Sequence, residues 1–335
     1  MVGRWHKAVP SVIFTSMSDL SEIQLNDRAG VLCQEIPPRA ETLQIAVKTL
    51  DSGTTLIDMG IEVPGSKEAA IYLARVCLAD LGEVTLDMPK DKAWPTVGVS
   101  TQKPVAACLA SQYAGWEIKG DKFFAMGSGP MRAAAGREAL FDEIGYREDA
   151  SEAVGVLETA KFPPERVCLE IAEKCDVVPE QLTLLVAPTS SICGTLQIVA
   201  RSVETALHKL HELKFDLSRI ETGSGTAPLP PLVKDDFAAI GRTNDAILYG
   251  GQVTLEVHGD DESLAEIGPR APSSASPDYG RPFAEVLAEY GNDFYKVDPL
   301  LFSPAVIEFV NLDTGSCFRF GEVNEEVLER SFSGM

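Results

Sequence analysis

Arg201 and Glu204 stand three residues apart in a segment, 195–213, whose apolar residues recur at helical spacing. Side chains so spaced meet on one helix face. A guanidinium beside a carboxylate can hold it ionised and aim it as a general base. The same spacing also serves a solvated ion pair worth only about 0.3–0.5 kcal/mol, the commonest fate of such pairs. Leu196, Val199, Ala200, Val203, Leu207 and Leu210 form the apolar stripe, and Gln197, Arg201, Glu204, His208 and His211 fall beside it. Glu204, His208 and His211 therefore also permit a metal reading, that of a metal-dependent amidohydrolase, although no His-Glu-x-x-His motif or Cys pair accompanies them.

Two turns present backbone N–H groups and hydroxyls at the start of a helix, a natural site for an anion or carbonyl. One is Gly127-Ser-Gly-Pro130, with Ser128 and Gly129, ahead of Arg132; the other runs from Thr189 to Gly194 and holds Ser190 and Ser191. Neither is a Walker A loop or a G-x-G-x-x-G turn, and such turns often only cap a helix. The stretch 241–245, with Asn244 and Asp245, offers donors and acceptors that could read a heteroaromatic edge or could simply form a turn. Gln112 ends a run of small residues, 104–113, whose side chains let a backbone or ligand approach closely.

The elements that must position these groups follow from periodicity and punctuation. A first helix is expected over 20–34, capped by Ser18 or Asp19. Strands at 42–50 and 54–59 form a plausible hairpin, and Ser66 caps a helix reaching about Leu81. Strands at 84–88 and 96–100 precede the small-residue helix. Strand 123–126 leads into a helix over 131–141, and strand 182–186 into one long helix over 195–213. Two such strand–turn–helix units argue for an α/β fold with mixed α+β elements. Residues 221–231 and 268–282 read as irregular loops, 246–257 as two strands around Gly250-Gly251, and 321–335 as an acidic tail.

With 335 residues, the chain is longer than one ordinary core, and two domains are expected. A net charge of -21 disfavours nucleic acid and anionic membrane surfaces as partners and favours a cationic ligand. The seven cysteines are odd in number and irregularly spaced, as for buried thiols in a reducing compartment. No run approaches the ~18 apolar residues of a membrane helix, so a cytoplasmic location is expected. Residues 1–17 precede the first helix and read as a dispensable extension.

At these same places the chain resembles the methenyltetrahydromethanopterin cyclohydrolases. The resemblance is carried by Leu25-Asn-Asp-Arg-Ala-Gly30, Ala107-Cys-Leu-Ala-Ser-Gln-Tyr-Ala-Gly-Trp116, Met126-Gly-Ser-Gly-Pro-Met-Arg132, Ala187-Pro-Thr-Ser-Ser191, Arg201-Ser-Val-Glu204 and Gly241-Arg-Thr-Asn-Asp-Ala-Ile-Leu-Tyr-Gly250. Near the end come Pro272-Ser-Ser-Ala-Ser-Pro-Asp-Tyr-Gly-Arg-Pro282 and Asp293-Phe-Tyr-Lys-Val-Asp-Pro299. It implies two interleaved α/β domains within 18–320, with a large pocket between them, and a homotrimer. It also implies hydrolysis of a methenyl carrier to its 5-formyl form without metal or organic cofactor, the pterin carrier being the substrate. The family's catalytic arginine and glutamate fall on Arg201 and Glu204. Ser128, Gly129, Ser190, Ser191, Gln112, Gln197, Asn244 and Asp245 would fix the pterin. A pterin-binding protein without catalysis, in which Arg201 and Glu204 are only structural, is the remaining alternative.

Overall fold

A computed structural model describes residues 20, 22–90, 92–293 and 296–333. Ser18, Asp19 and the whole 1–17 extension lie outside the described residues. The strands are β1 (Ala46–Thr49), β2 (Thr55–Asp58), β3 (Gly82–Asp87), β4 (Thr96–Thr101), β5 (Trp116–Gly120), β6 (Phe123–Ser128), β7 (Ala153–Glu158), β8 (Leu182–Ala187), β9 (Ile220–Pro228), β10 (Gln252–Val257), β11 (Val306–Asn311) and β12 (Cys317–Gly321). They form two six-stranded mixed sheets, ordered β1-β2-β8-β7-β6-β5 and β12-β11-β10-β9-β4-β3. The expected hairpin is present: β1 pairs antiparallel with β2.

The helices are α1 (Leu25–Glu35), α2 (Ala40–Leu43), α3 (Lys67–Cys77), α4 (Met131–Ala135), α5 (Ala139–Ile144), α6 (Glu165–Lys174), α7 (Ile192–Val199), α8 (Ser202–Glu212), α9 (Asp236–Gly250), α10 (Asp261–Ile267), α11 (Phe283–Glu289) and α12 (Glu325–Ser333). The small-residue run forms a π-helical segment, Val105–Gln112. Helix α3 packs on β3 of one sheet and β7 of the other, while α8 packs on β4, β9 and β10. One apolar core therefore runs from Ile57, Val156 and Leu185 in the first sheet through Leu73, Leu196 and Leu207 to Leu255 and Phe309 in the second. A second cluster, with Val167 and Ile171 of α6, covers the other face of the first sheet. Among the described residues no helix is long and apolar enough to cross a membrane.

Several elements depart from the sequence expectation. Helix α1 begins at Leu25, where the Glu148 carboxylate accepts from the N–H groups of Leu25 and Asn26 at 3.0 Å each, so a residue far along the chain does the capping. The expected 131–141 helix divides into α4 and α5 at Gly136, whose φ is +53°. Residues 220–228 are not a loop but a central strand. Added Cβ atoms at Gly223 and Gly225 would stand 2.8 Å from Val203 and 2.6 Å from Ser202 of α8, so these glycines read as turn residues in sequence yet serve close packing. Residues 236–250 form a helix rather than a loop and strand; Asp235 caps it by accepting from the Ala238 N–H at 2.8 Å. Its Ile247-Leu248-Tyr249 run has strand propensity that tertiary packing overrides. Helix α12 packs against α9 and buries Val327, Leu328 and Phe332.

Candidate active site

The segment carrying Arg201 and Glu204 starts at Ser191, whose hydroxyl accepts from the Gly194 N–H at 3.0 Å and donates to the Pro188 carbonyl at 2.8 Å. The turn is so tight that a Cβ on Gly194 would lie 1.9 Å from that carbonyl oxygen, with Pro188 C and Thr189 Cα also within 3.0 Å. All three atoms are backbone and cannot swing away. Gly194→Ala is thus expected to destabilise the protein by about 3 kcal/mol or more, measured as a fall in the urea midpoint.

The segment is not one helix. It breaks between α7 and α8, where Ala200 and Arg201 have ψ near zero. The Ala200 carbonyl accepts instead from Gln112 Nε2 at 3.1 Å. The apolar stripe survives the break, with Leu196, Val199, Val203, Leu207 and Leu210 all fully buried. The break changes what Arg201 meets. Its guanidinium donates to Gln197 Oε1 at 2.8 Å and to Ser128 Oγ at 3.2 Å, and it forms no ion pair with Glu204. Gln197 Nε2 in turn reaches Glu158 at 3.5 Å, and Glu158 accepts from Thr189 Oγ1 at 2.7 Å.

Glu204 lies in the first turn of α8, where the positive end of the helix favours a carboxylate. It is 5% exposed, and among the described residues no donor hydrogen-bonds it. Burial pushes its pKa up to about 7, opposed by the charges of Arg201 and Arg132. It faces a cavity of about 610 Å³ walled by Tyr113, Phe124, Ile198, His208, Phe237, Ile240, Ile247 and Phe302, with Arg201, Glu117, Glu158, Asn244 and Asp293 as polar members. The walls come from β5, β6 and β7 of the first sheet, from Tyr113 at the end of the π-helical segment, and from α7, α8, α9 and α11. The Tyr113 ring stacks on His208, centroids 4.9 Å apart at 22°.

Of the ten residues expected to act in catalysis or pterin binding, only Arg201, Glu204 and Asn244 line this cavity, as does His208 of the metal reading. Gln112, Ser128 and Gln197 stand behind it and hold the helix break and Arg201. Gly129 makes the turn after β6, with φ +85°. The Ser190 N–H donates to Asp236 at 2.9 Å, and Ser191 caps α7. Asp245 is fully buried; it accepts from the Phe283 N–H and the Ser331 hydroxyl, pinning α11 and α12 to α9. Glu204, His208 and His211 do not converge as metal ligands: His211 bonds Glu143 at 2.6 Å and His208 stacks on Tyr113. Among the described residues no group of three His, Cys, Asp or Glu side chains is placed to hold a metal. Sequence reasoning missed Tyr113, Phe237 and Glu158. The signal for α9 was present, since Ile240, Thr243, Asn244 and Ile247 have the spacing of one helix face.

The profile of a family described as Cyclohydrolase (MCH) matches residues 24–332. Over 310 residues the chain is 46% identical to a Methylobacillus flagellatus protein named methenyltetrahydromethanopterin cyclohydrolase, covering 92% of this chain and 95% of that one. Proteins of the same name from Xanthobacter autotrophicus and Methanococcoides burtonii are 45% and 41% identical, covering 98% and 92% of this chain and 98% of each relative.

Proposed function

The chain belongs to the methenyltetrahydromethanopterin cyclohydrolase family, and on that premise we propose that it hydrolyses a 5,10-methenyl-tetrahydromethanopterin cation to the 5-formyl form. The observation that carries the mechanism is Glu204: a buried carboxyl free of hydrogen-bond donors among the described residues, facing an apolar cavity beside Arg201. The methenyl carbon sits between two ring nitrogens that share its positive charge, so it is electrophilic without a Lewis acid. What it lacks is an oriented water and a proton acceptor. Glu204 takes one proton from the water as its oxygen bonds the carbon, giving a neutral tetrahedral adduct. As the hydroxyl becomes the formyl carbonyl, its proton is lost, the bond to the second nitrogen breaks, and Glu204 returns a proton to that nitrogen. One proton is released overall. Arg201 favours the ionised carboxylate through space and, by way of Gln197 and Ser128, is fixed where it can meet the developing oxygen charge.

The test is loss of the methenyl absorbance with purified protein, with and without a chelator. Turnover well above the uncatalysed rate, unchanged by chelation, is expected. A rate no faster than buffer would overturn the activity, and loss of rate on chelation would overturn the metal-free mechanism. The chain is also proposed to assemble as a homotrimer, so light scattering should return three times 36.1 kDa.

The base must be ionised, so kcat/KM should rise with pH through a midpoint near 7, the value to which burial pushes Glu204. A bound cation favours the carboxylate, so the kcat profile should have its midpoint below that of kcat/KM. Coincident midpoints would show that the titrating group does not face the substrate.

A further inference from the structure

Arg132 is the largest fully buried side chain among the described residues, and the mechanism above does not use it. Its guanidinium is bound bidentately by Glu138, at 2.8 and 2.5 Å. A third nitrogen donates to the carbonyls of Leu109 and Ser111 at 3.0 and 3.2 Å. These two carbonyls belong to the π-helical segment, so Arg132 ties down the element that ends at Tyr113. The guanidinium also lies over the Tyr113 ring, 5.0 Å from its centroid, and over Phe141 at 5.3 Å. Gly115 leaves the space for Glu138, since a Cβ there would stand 2.0 Å from its carboxylate. An ion pair this buried is expensive to assemble and is weak evidence for stability by itself. Its position behind the wall that Glu204 faces is the informative feature.

Resting on the cyclohydrolase reading, we infer that the Arg132–Glu138 pair is a positioning element of the site, holding Tyr113 as its wall and setting the electrostatic field behind the base. Arg132 touches no cavity surface, so it acts through Tyr113 and through space. The other groups facing Glu204 are Arg201 at the helix break, Cys108 of the π-helical segment, Tyr113 directly after it, and His208 one turn along α8. Glu117, Glu158 and Asp293 share its cavity. The Arg132 charge favours the ionised form of Glu204, and Glu138 partly cancels that charge.

The consequence is a pair of opposed effects. Glu138→Gln leaves the guanidinium less compensated, so the acid limb of kcat/KM should move to lower pH. Arg132→Met leaves Glu138 uncompensated, so the limb should move to higher pH. For each variant the ratio of rates at pH 6 and pH 9 should change about three-fold, in opposite directions. A purely structural strut would lower rates or raise KM in both variants while leaving the midpoint in place. Should Arg132→Met fail to fold, Glu138→Gln, which keeps the shape, decides alone: a shift to lower pH supports the proposal and an unmoved midpoint overturns it. Titration of the Glu204 carboxyl by its infrared band, assigned by its loss in Glu204→Gln, reads the same midpoint without any substrate. If wild-type protein fails to turn over the methenyl carrier, the functional reading fails; if the infrared midpoints still separate, the field assignment stands.

Discussion

Glu204→Gln should lower turnover by about 100-fold or more, because it keeps the size of the side chain and removes the proton acceptor. Binding should weaken only by the attraction between the carboxylate and the cation, since aromatic and aliphatic walls supply most of the cavity surface. The same variant should be more stable than the native protein above neutral pH. Burial raises the Glu204 pKa from 4.5 to about 7, so the folded protein retains a proton that the unfolded chain has already lost between those values. Stability from this group is fully present below the unfolded pKa and is lost as pH climbs through the folded one. At pH 8.5 the ionised carboxylate therefore costs up to about 3 kcal/mol, which glutamine does not. Urea unfolding at pH 5 and pH 8.5 should show the gap between variant and native protein widening at the higher pH. A variant with native turnover would remove Glu204 from the chemistry altogether.

Arg201→Ala should slow turnover by about 10- to 100-fold at pH 7. Glu204 loses a neighbouring cation, so the acid limb of the rate profile should move upward and part of the loss should be recovered at high pH. Gln197 Oε1 and Ser128 Oγ both lose the Arg201 donor and keep only weak contacts with the Cys77 thiol, so a stability cost of about 1–3 kcal/mol should accompany the change. Combining Glu204→Gln with Arg201→Ala should cost scarcely more turnover than Glu204→Gln alone, because both residues act on one water. Additive losses in the double variant would mean that Arg201 serves a separate step.

The parts of the fold legible in the sequence were those with strong local signals. Ser66 caps α3 as expected, and β2, β4 and β8 follow their apolar runs. The parts that misled were those where tertiary contacts decide. The stretch 221–228 reads as a loop from its glycines, yet those glycines let α8 approach the centre of a sheet. Helix α9 was hidden because Gly241, Asn244 and Asp245 resemble turn residues; Asp245 in fact bonds partners 38 and 86 residues away. The 3.6-residue period brought Glu204, Arg201 and His208 to one side correctly, but it could not show the break at Ala200. That break depends on an amide from Gln112, 88 residues earlier.

The interleaving of the two sheets bears on how the chain must acquire its shape. Strand β2 pairs in parallel with β8, Thr55 opposite Thr183, and β4 pairs with β9, Thr96 opposite Pro228. As the polypeptide leaves the ribosome, the first hairpin waits with an open edge until β8 has emerged, and β3 and β4 wait over a similar length of chain for β9. Non-local pairing of this kind gives slow folding and leaves unpaired edges exposed to aggregation in the meantime. Neither sheet corresponds to a contiguous fragment, so a chain stopped before β9 would carry every strand of the first sheet together with the β3–β4 hairpin of the second, its edge still open.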